Sequence, residues 1–135
     1  MEILSILFFA LAATANALMD TIQFHWYKFR WKERVNEQFW YPEVSWMRKY
    51  IYSDVEFGLK YKGVWGWINN FTDIWHILKM IMIICLALSA ILFPYSFKIY
   101  IFEYEILNIG IWLCIYGIAW NVPFNYCYNK LFVKK

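Results

Sequence analysis

Charge is scarce in this chain. Of its 135 residues only 17% are Asp, Glu, Lys or Arg, and the net charge is just +3. A nucleic-acid-binding domain carries a far more basic face, so a polynucleotide partner is not expected. Glycine and proline are few, at five and three residues, and no internal repeat or low-complexity stretch is evident. The three cysteines (Cys85, Cys114 and Cys127) form no CxxC pair, which argues against a thiolate metal site or a disulfide framework. Two of them lie inside apolar runs, where a thiol behaves as a small buried hydrophobe. Histidine is limited to His25 and His76, and neither HExxH nor a repeated histidine box is present.

What fills the chain instead is apolar and aromatic. Hydrophobic residues make up 62%, and there are nine Trp, eleven Tyr and twelve Phe. A water-soluble core of this size has no room for so many rings. Aromatics with one polar edge are favoured at both surfaces of a bilayer. The length allows one domain at most, so residues 1–135 are read as a single integral membrane domain: an all-α membrane protein with about three transmembrane helices.

The first span is expected over residues 3–20, an Ile, Leu, Phe and Ala run interrupted by Ser5, Thr14 and Asn16. Ala15-Asn16-Ala17 has the form of a signal-peptide cleavage site, but Glu2 stands where such a peptide carries Lys or Arg. Residues 21–73 form an amphipathic, aromatic-rich interfacial segment. It interleaves Phe24, Trp26, Tyr27, Phe29 and Trp31 with Lys28, Arg30, Lys32 and Arg34, placing rings at headgroup depth and cations near phosphates. From Val35 to Ile68 short helical or extended pieces are expected to lie on the membrane. The second span is expected over residues 74–93, ended by Pro94, which lacks the amide donor. The third is expected over residues 99–120, with Gly110, Cys114 and Gly117 as a small-residue seam.

Positive charge is uneven between the loops. Eight Lys and Arg lie between the first and second spans, only Lys98 between the second and third, and three lysines after the third. The positive-inside rule then predicts an inner or plasma membrane protein with its N-terminus out and C-terminus in. This orientation also discounts the glycosylation sequon Asn70-Phe71-Thr72, because it falls on the cytosolic side. Glu103 and Glu105 fall on the opposite side, near Lys98.

Alternating spans bring the end of helix one, the start of helix two and the end of helix three to one membrane level. Helix one contributes Asn16, Asp20, Gln23 and His25; helix two contributes Asn70, Asp73, His76 and Lys79. Helix three contributes Asn121 and Asn125, four apart and so on one face. Polar groups at membrane depth are costly unless paired, so their clustering points to a functional site. Asp73 and His76 are three apart, a spacing that lets two side chains reach one ion. With Asp20 and His25 they would supply two carboxylates and two imidazoles, a ligand set suited to zinc, iron or manganese. Asp20 and His25 are about 140° apart around an ideal helix, so joint ligation requires a break between them. The structural alternative has Asn70 and Asp73 as an N-cap with its capping-box partner, His76 bonded to Asp73, and Lys79 snorkelling to headgroup depth.

The pattern Asn16-x3-Asp20-x4-His25, followed by Phe39-Trp40-Tyr41-Pro42-x2-Ser45-Trp46 and Thr72-Asp73-x-Trp75-His76, resembles small multi-span bacterial integral membrane proteins without an assigned function. The resemblance covers about the first 80 residues and implies that the Asp and His positions belong to one pattern; it supplies no activity. Three functional classes stay open at this level. One is a cation-binding membrane protein, acting as a small hydrolase on an interfacial substrate. The second is an oligomeric pore or membrane-perturbing effector; the third is a non-catalytic accessory subunit of a membrane complex. Self-association or a partner membrane subunit is expected in each.

Overall fold

The computed structural model describes residues 2–96 and 105–134. Three long helices dominate: α1 (Glu2–Phe24), α4 (Ile74–Ser96) and α5 (Glu105–Tyr126). Between α1 and α4 lie two one-turn helices, α2 (Glu37–Trp40) and α3 (Pro42–Ser45), among short 3-10 turns. No strand occurs among the described residues; two isolated antiparallel bridges pair Phe29 with Val133 and Tyr50 with Leu59. Three stretches are long and apolar enough to cross a membrane: Ile3–Phe24, Ile74–Phe93 and Leu107–Phe132. The protein is therefore all-α, with a multi-pass membrane architecture.

The first two spans lie where the apolar runs place them, although α1 continues four residues past Asp20 to Phe24. Its two threonine hydroxyls are satisfied within the helix, Thr14 donating to the Ala10 carbonyl at 3.0 Å and Thr21 to that of Ala17 at 2.7 Å. Such back-bonding hides a polar group that lipid cannot solvate. The third span differs from expectation. Residues 99–104, including Glu103, lie outside the described residues, as does Lys98. The helix does not stop near Trp120 but passes through Pro123 and widens into a π-helical turn over Cys127–Phe132. Proline removes one backbone donor, yet the chain keeps winding because Cys127 and Phe132 are buried in the core. Tertiary packing here overrides the helix-breaking tendency of proline.

Helix α1 packs against both other spans, and a third of its apolar window is buried against 17% for each of theirs. Ala12, Ala13 and Ala17 are fully buried, so the alanine face lets neighbouring backbones come close. The seam of Gly110, Cys114 and Gly117 is instead exposed. At one end of the bundle Ser5 is fully buried and lies 2.5 Å from the Tyr116 hydroxyl, linking α1 to α5. The same oxygen donates to the Ser89 carbonyl at 2.8 Å, linking α1 to α4.

At the other end residues 26–72 fold into an aromatic platform. Trp26 stacks on Tyr41 with ring centroids 5.1 Å apart and planes 9° from parallel, and Phe29 stacks on Trp40 at 5.8 Å. Phe132 joins this cluster from the far end of the chain. The tail is held by backbone bonds: Arg30 N–H donates to the Phe132 carbonyl at 2.7 Å, and Lys134 N–H to that of Lys28 at 2.8 Å. Offset and edge-to-face ring pairs add about 0.5–1.5 kcal/mol each beyond area burial. A platform this small therefore holds a defined shape without a long helix or a sheet of its own.

Candidate functional site

The ends of α1, α4 and the π-helical turn meet where the alternating spans require. The Trp75 indole donates to the Gln23 side-chain oxygen at 3.0 Å, joining the start of α4 to the end of α1. Arg30 donates through Nη2 to the Lys130 carbonyl at 2.7 Å, joining the platform to the π-helical turn.

Asp73 is the most buried acid at this level, with 1% of its surface exposed. It immediately precedes the first residue of α4 and acts as its N-cap. Its Oδ1 accepts from the His76 backbone N–H at 3.0 Å, and its Oδ2 lies 2.7 Å from His76 Nδ1. A carboxylate here satisfies an orphan amide and favours the helix dipole. This corrects the expectation that Asn70 caps the helix. Residues Gly63–Phe71 run as a 3-10 helix, so α4 begins later and the cap falls three positions on. Asn70 is exposed, and its neighbour Asn69 does the local work. Buried Asn69 donates to the Tyr61 and Gly66 carbonyls at 2.8 and 2.9 Å, clamping the loop between them.

The remaining predicted residues divide between two settings. The Tyr128 ring lies 5.5 Å edge-on from the His25 imidazole, and the charge of Asp20 acts on the same phenol. Asn16 is half-buried on α1. Lys79 seats its ammonium over the Trp75 ring at 4.9 Å. Asn121 and Asn125 are exposed and bond back to the Gly117 and Asn121 carbonyls, both at 2.8 Å, so they serve their own helix. Asp73 and His76 thus form one pair, while Asp20 and His25 gather around Tyr128. Among the described residues no three His, Cys, Asp or Glu side chains form a group suited to a metal ion.

Beyond these residues, three cations of the platform sit on rings. Lys32 lies 4.6 Å from the Tyr27 ring centroid, Lys49 5.3 Å from that of Tyr50, and Arg48 5.4 Å from that of Phe39. The carboxylates meanwhile turn to protein donors. Glu37 accepts from the Trp26 indole at 3.1 Å, Asp54 from the Glu56 amide at 2.9 Å, and Glu43 from the Tyr41 hydroxyl. That last bond, with burial and Tyr27 adding to it, holds the Tyr41 phenol well above its ordinary range. Nothing in the sequence marks Tyr128 or Glu37, because each acts through a contact between separate elements rather than through spacing.

No protein-family model, curated protein or solved structure matches the chain.

Proposed function

We propose that the protein is a non-catalytic membrane scaffold, an accessory element whose folded aromatic and cationic platform grips an anionic lipid surface. The observation that carries this reading is how the platform distributes its charge. Between Trp26 and Thr72 eight Lys and Arg face five Asp and Glu, and three of those acids are bonded to protein N–H or O–H donors. Cations are left to act outward. Around them Trp65, Trp67 and Phe71 are exposed on the element that leads into α4, the depth at which such rings prefer the headgroup region. Each basic residue near an anionic surface contributes about 1 kcal/mol of attraction. The charge asymmetry between loops supports a cytosolic platform, with the N-terminus out and the C-terminus in. In this reading Asp73, His76 and Gln23 seat the platform on the helices.

The test is amide exchange of the protein in zwitterionic and in anionic nanodiscs. Stronger protection across residues 43–72 in anionic discs, weakened by salt, is expected. Equal protection in both lipids would overturn the proposal.

A further inference from the structure

We propose that the platform holds a discrete site for the phosphate of an anionic phospholipid, in the pocket between Arg48, Lys60, Phe39, Ile68 and Phe71. The proposal rests on the scaffold reading and adds to it one place and one ligand chemistry.

The chain builds this pocket from local bonds. The Tyr50–Leu59 bridge, with Ile51 N–H to the Gly58 carbonyl at 2.9 Å and Lys60 N–H to that of Lys49 at 2.9 Å, folds residues 50–59 back on themselves. Gly58 takes φ +75°, which a side chain rarely adopts, and lets the chain turn there. Lys60 is thereby set beside the Arg48–Lys49 backbone. On the opposite side the Asn69 clamp and the Thr72 hydroxyl, which donates to the Asn69 carbonyl at 2.8 Å, fix the wall carrying Ile68 and Phe71. The pocket is a half-open cleft of about 250 Å³, enough for a headgroup and too little for acyl chains.

The charge of the pocket is unbalanced. Among the described residues the ion pairs are His76 with Asp73 and Lys134 with Glu33, so neither Arg48 nor Lys60 has a carboxylate within 4.0 Å. Arg48 lies over the Phe39 ring, an arrangement that immobilises the guanidinium while leaving its donor edge for a second partner. A planar fork beside an ammonium group suits phosphate. The other basic pocket, at Arg30, Arg34 and Lys134, includes Glu33, and Arg30 there already donates to the Lys130 carbonyl. There Lys134 has the Glu33 carboxylate and Arg30 a backbone carbonyl, whereas among the described residues Arg48 and Lys60 have no carboxylate partner.

Depth selects the lipid over free phosphate. Thr72 lines the pocket and α4 enters its apolar run at Ile74, so an anion held here sits at the membrane threshold. The apolar wall of Ile68 and Phe71 is left uncovered by a bare phosphate and is covered by a glycerol backbone.

The experiment is native mass spectrometry of the detergent-purified protein with phosphatidylglycerol, phosphatidylcholine or inorganic phosphate added. One phosphatidylglycerol per chain is expected to persist. Its retention should fall at least tenfold in Arg48→Gln/Lys60→Gln, stay near wild type in the equally discharged Lys28→Gln/Arg34→Gln, and resist inorganic phosphate at equal concentration. Lys60→Arg, which keeps charge, should retain the lipid, and Lys60→Gln alone should lose it if the double variant fails to fold. Equal loss in both double variants would overturn the pocket while leaving the nanodisc result intact. Displacement by inorganic phosphate would overturn the lipid assignment, and equal retention of phosphatidylcholine would overturn the requirement for net negative charge.

Discussion

Ser5 and Tyr116 meet at 2.5 Å between hydroxyl oxygens, on helices separated by 111 residues in sequence. Ser5 has one hydroxyl hydrogen and gives it to the Ser89 carbonyl, so Tyr116 is the donor in this contact. Ser5→Ala removes the acceptor of Tyr116 and the donor to Ser89 together, whereas Tyr116→Phe removes a single bond. Interhelical hydrogen bonds in membranes contribute about 0.6 kcal/mol on average and at most about 1.7. Ser5→Ala should therefore cost about 1–2 kcal/mol and Tyr116→Phe about half as much. Melting of both variants and of the double variant in detergent would measure this; additive losses would show that the two hydroxyls do not interact.

Asp73 carries two duties that substitutions can separate. Asn is as good an N-cap as Asp, so Asp73→Asn should cost a few tenths of a kcal/mol, while Asp73→Ala should cost about 1 kcal/mol. If the pair with His76 is structural, a chelator leaves the melting temperature unchanged in wild type and in His76→Ala. A stoichiometric metal that co-purifies with wild type and is lost in His76→Ala would instead make the pair part of a metal centre.

Composition and apolar run length are enough to locate α1 and α4, and the alternation of the spans brings Asp20, Gln23, Asp73 and His76 to one end of the bundle. Asn70-x2-Asp73 resembles a capping box, yet the cap falls at Asp73 because the chain preceding α4 winds as a 3-10 helix that delays its start. The third span runs past the expected end near Trp120 for a similar reason: the burial of Phe132 against Trp31 is a contact between distant residues that run length does not reveal. Tyr128 between Asp20 and His25, and Ser5 between two helices, depend on contacts across about 100 residues or on helix rotation. Spacing alone carries no trace of either.

Tyr41 should make the platform sensitive to alkali. Its hydroxyl bond to Glu43 raises the phenol above its ordinary value of 10.0, so the folded state holds this proton more tightly than the unfolded one. The resulting stability is fully present below about pH 10 and is lost as pH rises through the higher folded value. Tyr41→Phe should be less stable than wild type at neutral pH, and the gap should narrow above pH 10. Urea titrations of Trp fluorescence at pH 8 and pH 11 would check this, and a gap of constant size would rule out the proton linkage.

Small residues on α1 and α5 should respond in opposite ways to enlargement. Ala17 is fully buried in the core against which Leu78 and Cys127 pack, and Ala17→Leu would force extra volume into a close-packed contact at about 1–3 kcal/mol. Gly117 is exposed, and an added Cβ there meets nothing within 4 Å. Gly117→Ala also removes backbone freedom from the unfolded chain, so it should stabilise α5 by about 0.5–1 kcal/mol. Thermal melts in the same detergent would separate the two, with Ala17→Leu lowering the midpoint and Gly117→Ala raising it. A drop in both would mean that the outer face of α5 is packed against something beyond its own chain, since only a contact there leaves no room for the added methyl group.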